Sequence, residues 1–229
     1  MIGALRGVEG LRERHLEEAS TLLGDHGVGG DVAADLSAMF DELASLAEAL
    51  SVLGHLTPRS LDAIASIGER LSSHLVVAVL RERGVPAQLV DAGEVMVTDD
   101  HFTRAEPQPE LIAEATQRII RPLLASGTTP VVGGFVGATA AGVTTTLGRG
   151  GSDYSAALFG AALRAEAIEI WTDVDGLLTA DPRVVDGARL IEQIRFDEAS
   201  ELASFGAKVL HPSTIAPAVK IGISVYIYN

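Results

Sequence analysis

The stretch that decides the fold reads Thr144-Thr145-Thr146-Leu147-Gly148-Arg149-Gly150-Gly151-Ser152-Asp153-Tyr154. Three small hydroxyl residues lead into a glycine-rich turn that contains one arginine, and a helix is predicted to follow at once, with Ser152 or Asp153 as its N-cap. Backbone N–H groups and a guanidinium can approach an anion closely in such a turn. The stretch does not match the G-x-x-x-x-G-K-[ST] pattern of the common phosphate loop, so it indicates an anion site of another kind.

Outward from this turn, short apolar strands alternate with helices. Strands are predicted at 87–90, 130–136, 167–172 and 224–229. Helices are predicted within 1–50 (with a break at 24–30), from Ser60, the expected N-cap, to Gly84, and at 111–124, 152–165, 196–205 and from about Pro212. This alternation predicts an α/β fold, a mainly parallel sheet with helices on both faces. Ligands of such sheets gather at the carboxyl ends of the strands, where the glycine-rich loops fall.

Composition excludes several classes of function. The 229 residues carry a net charge of −14, which makes the chain a poor ligand for nucleic acid. Cysteine is absent, which excludes disulfides and thiolate sites and fits a cytoplasmic protein. The longest apolar run, Leu75 to Leu80, is too short to span a bilayer, so no membrane partner is expected. No two of the six histidines have metal-ligand spacing, and no resident metal is predicted.

Arg149 and Glu69 are the charged residues whose surroundings suggest binding. Arg149 lies between glycines, where its planar fork could grip a carboxylate, and the alternative is a surface arginine in a flexible turn. So much backbone freedom costs stability unless a close approach is needed, which favours the binding role. Glu69 lies on an otherwise apolar helix and could hold an ammonium group, or it could be a solvent-facing charge paired with Arg70 or Arg83.

Acidic residues and a lysine further along offer weaker signals. Asp173, Asp175 and Asp181 follow a predicted strand, as in many metal or nucleotide loops, although acidic turn residues are common. Lys208 follows Phe205-Gly206-Ala207 near a predicted helix end. It could reach into the same site or simply complement a helix dipole.

Four segments together resemble the aspartokinases of the amino acid kinase family. They occur in the family's order: Gly133-Gly134-Phe135, Thr144 to Tyr154, Trp171 to Gly176 running on to Asp181-Pro182-Arg183, and Phe205 to Pro212. The resemblance implies the family's αβα sandwich and its reaction, in which MgATP phosphorylates the side-chain carboxylate of L-aspartate. That reaction is the first step of the pathway to lysine, threonine and methionine. The implied ligands are L-aspartate and ATP with its Mg²⁺, and the full-length protein is expected to form a homo-oligomer.

The resemblance also implies a role for particular residues. Arg149 would hold the α-carboxylate of aspartate, Glu69 would hold its ammonium group, and Phe135 would line the pocket. The substrate and phosphoryl pocket would be completed by Gly150, Gly151, Ser152 and Asp153. Lys208 and Asp153 would be the catalytic residues. The nucleotide would be bound by Thr172, Asp173, Leu178, Arg183, Lys208 and Val209.

The chain departs from the family pattern at both ends. The family's opening Lys-Phe-Gly-Gly-Thr-Ser segment is not found, and the strand that usually closes the kinase domain is not reached. Leu178 stands where a tyrosine often contacts the nucleotide. Residues 1–229 are therefore expected to form an incomplete kinase domain without a regulatory ACT domain. Two alternatives remain: a kinase of the same fold acting on another amino acid, and a non-catalytic aspartate-binding or regulatory fragment.

Overall fold

The computed structural model describes residues 2–24, 30–173, 176–180, 184–204 and 212–229. Contacts divide the chain into two compact units, residues 1–148 and 149–229. The first unit contains α1 (Ile2–Leu23), α2 (Asp31–Leu53), α3 (Pro58–Glu82), β1 (Ala87–Val90), α4 (Ala92–Val95), β2 (Val97–Thr98), α5 (Pro109–Ala115), a π-helical turn (Thr116–Ile120), α6 (Arg121–Ala125), β3 (Thr129–Val132), β4 (Val136–Thr139) and β5 (Thr144–Thr146). The second contains α7 (Gly151–Leu163), β6 (Ala167–Trp171), α8 (Phe196–Ser204), α9 (Pro212–Lys220) and β7 (Ser224–Tyr228).

The first three helices pack on one another around an apolar core, which confirms the prediction that residues 1–50 are helical. Phe40 and Leu36 of α2 are completely buried at its centre. Burying large apolar side chains of this kind is the main source of stability for such a helical layer. The buried members of this core are Val8, Ala19, Leu36, Met39, Phe40, Ile67 and Leu71.

Helix α3 is capped by Thr57, so the prediction that Ser60 caps it is wrong. Thr57 Oγ1 accepts a hydrogen bond from the Ser60 N–H at 3.1 Å, and Pro58 occupies the start of the helix. Threonine at the N-cap satisfies a free amide of the first turn, and proline at the first helical position has no N–H to leave unsatisfied. The predicted end is confirmed, because the helix stops just before Gly84, whose φ is +77°.

By length and composition alone, α3 could cross a membrane. It nevertheless buries the polar side chains of Asp62, Ser66 and Ser73 and packs against α2, β1 and β5. Its apolar positions thus contribute to the interior of the first unit, as in the core helix of a globular protein.

Strands of the first unit pair mainly in parallel. Strand β1 pairs with β3 in parallel, as β2 does with β4, whereas β4 and β5 form an antiparallel hairpin. The prediction of one strand over 130–136 is wrong, because β3 ends at Val132 and a turn separates it from β4. Phe135 in that turn has a φ of +66°, which no continuing strand allows.

The predicted helix over 111–124 is confirmed, and it contains a π-helical turn that the sequence did not reveal. The stretch runs from α5 through Thr116–Ile120 to α6. The Thr116 side chain is fully buried within it. In the described part of the chain, Thr116 Oγ1 has no hydrogen-bond partner.

Replacing Thr116 with valine should therefore stabilise the protein. Valine keeps the shape of the side chain and removes a buried hydroxyl whose lost hydration is not compensated, so we expect the free energy of unfolding to rise by about 1 kcal/mol. Urea denaturation measures the change. Thr116→Ser, which keeps the hydroxyl and loses the methyl group, should be less stable than the wild type. A lower urea midpoint for Thr116→Val would contradict this explanation.

The second unit is a parallel strand pair packed against helices. Strands β6 and β7 are parallel, and Ala157, Ile168, Ala218 and Ile223 form the core between them and helices α7 and α9. Gly160 allows this packing, because a Cβ atom there would lie 2.7 Å from Ile168 Cδ1. Parallel pairing in both units, with helices between the strands, confirms the predicted α/β class.

Candidate active site

The glycine pair after β3 brings the end of that strand against α3. Gly134 N–H donates a hydrogen bond to Glu69 Oε1 at 3.3 Å. A Cβ atom on Gly133 would lie 3.0 Å from Glu69 Cγ and 3.3 Å from Ser73 Oγ, so a side chain there would have to displace the Glu69 and Ser73 side chains slightly. The turn thus orients one oxygen of the Glu69 carboxylate and leaves that half-buried side chain beside the strand end.

Phe135 closes this turn in an unfavourable backbone conformation. Its φ is +66°, and the Val136 N–H donates to Gly134 O at 2.7 Å across a single residue. A left-handed aromatic residue costs about 1–3 kcal/mol and persists only where the surroundings enforce it. One such constraint is the hydrogen bond from Leu147 N–H to Phe135 O at 2.9 Å, which ties the turn to the residue that follows β5.

A cavity of about 340 Å³ opens at the carboxyl ends of β1 and β3. In an open parallel sheet this edge is the usual place for a ligand. The cavity has two carboxylates, Glu69 and Asp91, in its lining, and Asp91 also accepts a hydrogen bond from Gly93 N–H at 2.8 Å. Arg70 also lines the cavity, but its guanidinium pairs with Glu42 at 3.2 Å, so the two carboxylates can face a cationic group such as an ammonium. The remaining lining residues are Ser73, His74, Leu89, Val90, Ala92, Gly93, Gly133, Val136, Gly137 and Thr144.

The glycine-rich turn ends in a helix whose N-cap has no side-chain hydrogen bond. Gly150 is the N-cap of α7, with a φ of +75°, and Ser152 and Asp153 lie in the first turn, so their predicted capping role is wrong. A left-handed N-cap favours glycine, and the first N–H groups of α7 are left for other acceptors. Gly151 is buried, whereas Arg149 and Ser152 are exposed. Free amides, the helix dipole and a guanidinium in one short segment can bind an anion.

Asp153 is half-buried in the first turn of α7, and burial raises the pKa of its carboxyl above the ordinary value. The charged form is disfavoured because it loses hydration. A carboxylate at a helix N-terminus gains from the dipole, which offsets part of the cost of burying Asp153 in the first turn of α7.

The residues predicted to bind the nucleotide follow strand β6. Thr172 N–H donates to Tyr228 O at 2.8 Å and so continues the β6–β7 pairing, and Thr172 Oγ1 lies 3.3 Å from Asp173 Oδ1. Leu178 pairs with Leu190 in an isolated antiparallel bridge. The other predicted residues, Arg183, Lys208 and Val209, lie outside the described residues, as do Asp175 and Asp181.

The structure thus brings together two groups of predicted residues within separate units. Glu69 and Phe135 meet at the glycine pair of the first unit. Arg149, Gly150, Gly151, Ser152 and Asp153 share the start of α7 in the second unit. Within the described ranges, no group of three or more His, Asp or Glu side chains could hold a metal ion.

Sequence reasoning missed a buried carboxylate, Asp62 of α3. Its Oδ2 accepts a hydrogen bond from Thr103 N–H at 2.8 Å, and its Oδ1 accepts one from Thr146 Oγ1 at 2.6 Å. One signal could have found it: Asp62 precedes Ser66 by four residues and Glu69 by seven, so all three share a helix face.

Asp99 organises the loop that contains Thr103. Its carboxylate accepts hydrogen bonds from the N–H groups of His101 and Glu106 and lies 2.6 Å from His101 Nδ1. The hydrogen bond with Asp99 raises the pKa of His101. Partial burial works to raise the pKa of Asp99, but the bonds from Glu106 and His101 bring it below its ordinary value.

This pair should make the loop pH-sensitive. Because the folded-state pKa of His101 is raised, its stabilising contribution is complete below the ordinary value of 6.5 and is lost as pH rises through the higher folded value. An NMR titration should give His101 a midpoint above 6.5 in the wild type and a lower one in Asp99→Asn. Equal His101 midpoints would refute the pairing.

Comparisons with known proteins agree with this architecture. Among curated proteins, the chain is 46% identical over 193 residues to lysine-sensitive aspartokinase 3 of Escherichia coli (strain K12), a match that covers 84% of this chain and 42% of that protein. It is 36% identical over 221 residues to aspartokinase 3, chloroplastic, of Arabidopsis thaliana, covering 96% and 38% respectively. The chain spans less than half the length of these two relatives.

A solved aspartokinase structure has a similar fold. The fold matches that of E. coli aspartokinase III in complex with aspartate and ADP with a TM-score of 0.86 and 41% identity, over 97% of this chain and 48% of that one. The sequence also matches the model of the amino acid kinase family over residues 9–229. Since that match takes in nearly every residue, the chain belongs to the amino acid kinase family.

Proposed function

We propose that this chain carries the substrate site of an aspartate kinase, which transfers the γ-phosphoryl group of MgATP to the side-chain carboxylate of L-aspartate. The observation that carries the proposal is the likeness, across almost the whole chain, to an aspartokinase solved with aspartate and ADP. The glycine pair beside Glu69 and the uncapped start of α7 after Arg149 support it, because they offer the two kinds of charge that an amino acid substrate needs.

In this proposal the two ends of the amino acid are held by opposite charges. Glu69 binds the ammonium group, and the hydrogen bond from Gly134 N–H keeps its carboxylate oriented for that contact. Arg149 grips the α-carboxylate with its planar fork. Phe135 lines the pocket, and its enforced left-handed backbone fixes the wall before the substrate arrives. Holding both ends in this way presents the side-chain carboxylate to the nucleotide.

The chemical step needs positioning more than acid–base help. A side-chain carboxylate oxygen of aspartate attacks the γ-phosphorus, the bond from that phosphorus to the β–γ bridging oxygen breaks, and ADP leaves with the electron pair. The product is 4-phospho-L-aspartate, and no proton has to move because the attacking carboxylate is already ionised near pH 7. Catalysis therefore depends on charge stabilisation around the transferring group.

That stabilisation falls to residues at the start of α7 and in the predicted nucleotide segments. The amides of Gly150, Gly151 and Ser152 would donate to phosphoryl oxygens, Asp153 would border the phosphoryl pocket, and Lys208 would offset developing charge. Thr172, Asp173, Leu178, Arg183 and Val209 would hold the nucleotide, with Mg²⁺ arriving as part of MgATP. The product would be the first intermediate of the aspartate-derived amino acid pathway.

Trapping the product with hydroxylamine tests this proposal. Acyl phosphates react with hydroxylamine to give hydroxamates, whereas phosphate monoesters do not, so the trap separates this reaction from other kinase activities. With the full-length protein, MgATP and L-aspartate, we expect aspartyl hydroxamate and ADP in equal amounts. Glutamate and N-acetylglutamate serve as control substrates and should yield far less hydroxamate. Preference for either control substrate, or ADP release without hydroxamate, would overturn the assignment.

A further inference from the structure

We propose that Asp62 is a positioning residue that fixes the strand leading into the arginine turn, and thereby the affinity for the carboxylate of the substrate. The inference rests on the proposed function, because it concerns how Arg149 is held for that substrate. Asp62 itself belongs to α3 and contacts Thr146 of β5, the strand that precedes the glycine-rich turn.

Asp62 is a carboxylate kept almost entirely from water. Only 1% of the residue is exposed, and its two oxygens are shared between the Thr103 N–H and the Thr146 hydroxyl. A buried carboxylate is costly unless donors replace its hydration, and an apolar residue at this helix position would avoid that cost altogether. The carboxylate therefore gives the fold something that an apolar side chain could not, namely a directed link among three segments.

Those three segments are α3, the loop that contains Thr103, and β5. Thr103 has a φ of +72°, a left-handed conformation that its hydrogen bond to Asp62 helps to hold. The same loop makes a second contact with β5, since Ala105 N–H donates to Thr146 O at 2.9 Å. Thr146 is consequently held through its side chain by Asp62 and through its backbone by Ala105.

A third contact carries the constraint to the edge of the glycine-rich turn. A Cβ atom on Gly148, whose φ is +75°, would lie 3.1 Å from Thr103 O. The carbonyl of the loop thus packs directly on the Gly148 backbone. Gly148 comes two residues after Thr146 and immediately before Arg149 in the chain. The links from Asp62 to Thr146 and Thr103 therefore hold the backbone of the first unit up to Gly148, the residue that precedes Arg149.

Losing these links should weaken substrate binding selectively. A displacement of about 1 Å in a group that positions a substrate can cost roughly 100-fold in rate, so a modest shift of the Arg149 backbone is enough to be measured. A variant without these links should therefore raise the KM for aspartate. Both hydrogen bonds of Asp62 lie within the first unit, and we expect the KM for ATP to change little.

Thr146 offers the sharpest variants because its hydroxyl can be removed with little change in shape. Thr146→Val removes the donor to Asp62, whereas Thr146→Ser keeps it. Asp62→Asn keeps the size of the side chain and removes the charge. Thr116→Val is the matched control: it makes the same substitution at another fully buried threonine, one whose hydroxyl has no partner in the described residues.

The measurement is steady-state kinetics of the full-length protein with aspartate and MgATP. Thr146→Val and Asp62→Asn should raise the KM for aspartate by about 10-fold or more and leave the KM for ATP within about twofold. Thr146→Ser should restore nearly normal values, and Thr116→Val should leave both constants unchanged. A folded Thr146→Val protein with an unchanged KM for aspartate, or with equal rises in both constants, would overturn the inference. Should Asp62→Asn fail to fold, the Thr146 pair decides alone.

Amide hydrogen exchange separates failure of this inference from failure of the proposed function. If the wild type does not turn over aspartate, the proposed function is wrong, but exchange still tests the link. Thr146→Val should then speed the exchange of the amides of Thr103, Ala105 and Leu147 at least 10-fold relative to Thr116→Val, as expected when a local opening becomes easier. Unchanged exchange at these amides would show that Asp62 does not hold the loop and the strand together.

Discussion

Arg149→Ala in the full-length protein should raise the KM for aspartate by roughly 30-fold to 4,000-fold, the factor that corresponds to about 2–5 kcal/mol for losing one partner of a hydrogen-bonded charge pair. The reason is geometric as well as electrostatic. Arg149 stands between Gly148 and Gly150, both left-handed, and is followed by the uncapped start of α7. In the proposed site, its fork would supply the positive charge and the backbone amides of the turn would supply the remaining contacts.

Two further variants test this role. Arg149→Lys keeps the charge but offers a point charge in place of a planar fork, so it should recover only part of the affinity. Arg118→Ala removes an exposed arginine of the π-helical turn and should leave the KM for aspartate unchanged. The KM for ATP should change little in all three proteins. If the Arg149→Ala enzyme had a normal KM for aspartate, Arg149 would be an ordinary surface residue with no part in substrate binding.

Much of the fold could be predicted from the sequence because apolar periodicity and glycine positions are local signals. Strand β1 matches its predicted range of 87–90, and α3 and α8 match closely. The hairpin of β4 and β5 was missed because 130–136 reads as one apolar run. The turn at Gly133-Gly134-Phe135 breaks that run, and the tertiary hydrogen bond from Leu147 that constrains the left-handed Phe135 is invisible in the local pattern.

In the candidate site, too, local sequence signals identified some residues and missed others. Arg149 and Glu69 could be singled out because glycines or apolar neighbours surround them in the sequence. The N-cap of α7 was misassigned. Ser152 and Asp153 are residue types that favour the N-cap position, but the helix already begins at Gly151, and the left-handed Gly150 is its N-cap. The helix face that Asp62 shares with Ser66 and Glu69 marks the residue, but its two hydrogen-bond donors could not be predicted, because they lie 41 and 84 positions away in the chain. A lone acidic residue on a helix gives no sign of such long-range partners.

Lys208→Ala should lower kcat by about 100-fold to 1,000-fold, the loss typical of removing one preorganised donor from a developing charge. The expectation follows from the chemistry of the proposed reaction. No proton transfer is needed, so the barrier depends on how well positive charge and N–H groups surround the transferring phosphoryl group. If Lys208 contacts that group mainly in the transition state, kcat and kcat/KM should fall together while the KM for aspartate stays near normal.

The chain supplies a matched control for this test. It contains only two lysines, Lys208 and Lys220. Lys220 is exposed in the last turn of α9, where a cation complements the helix dipole. Lys220→Ala should therefore cost a little stability and leave kcat unchanged. Lys208→Arg keeps a cation but changes its reach and geometry, so it should restore activity only in part. If Lys208→Ala and Lys220→Ala were to behave alike, with normal kcat and a slightly lower melting temperature, Lys208 would be a helix-end cation, and charge stabilisation would have to come from the amides at the start of α7.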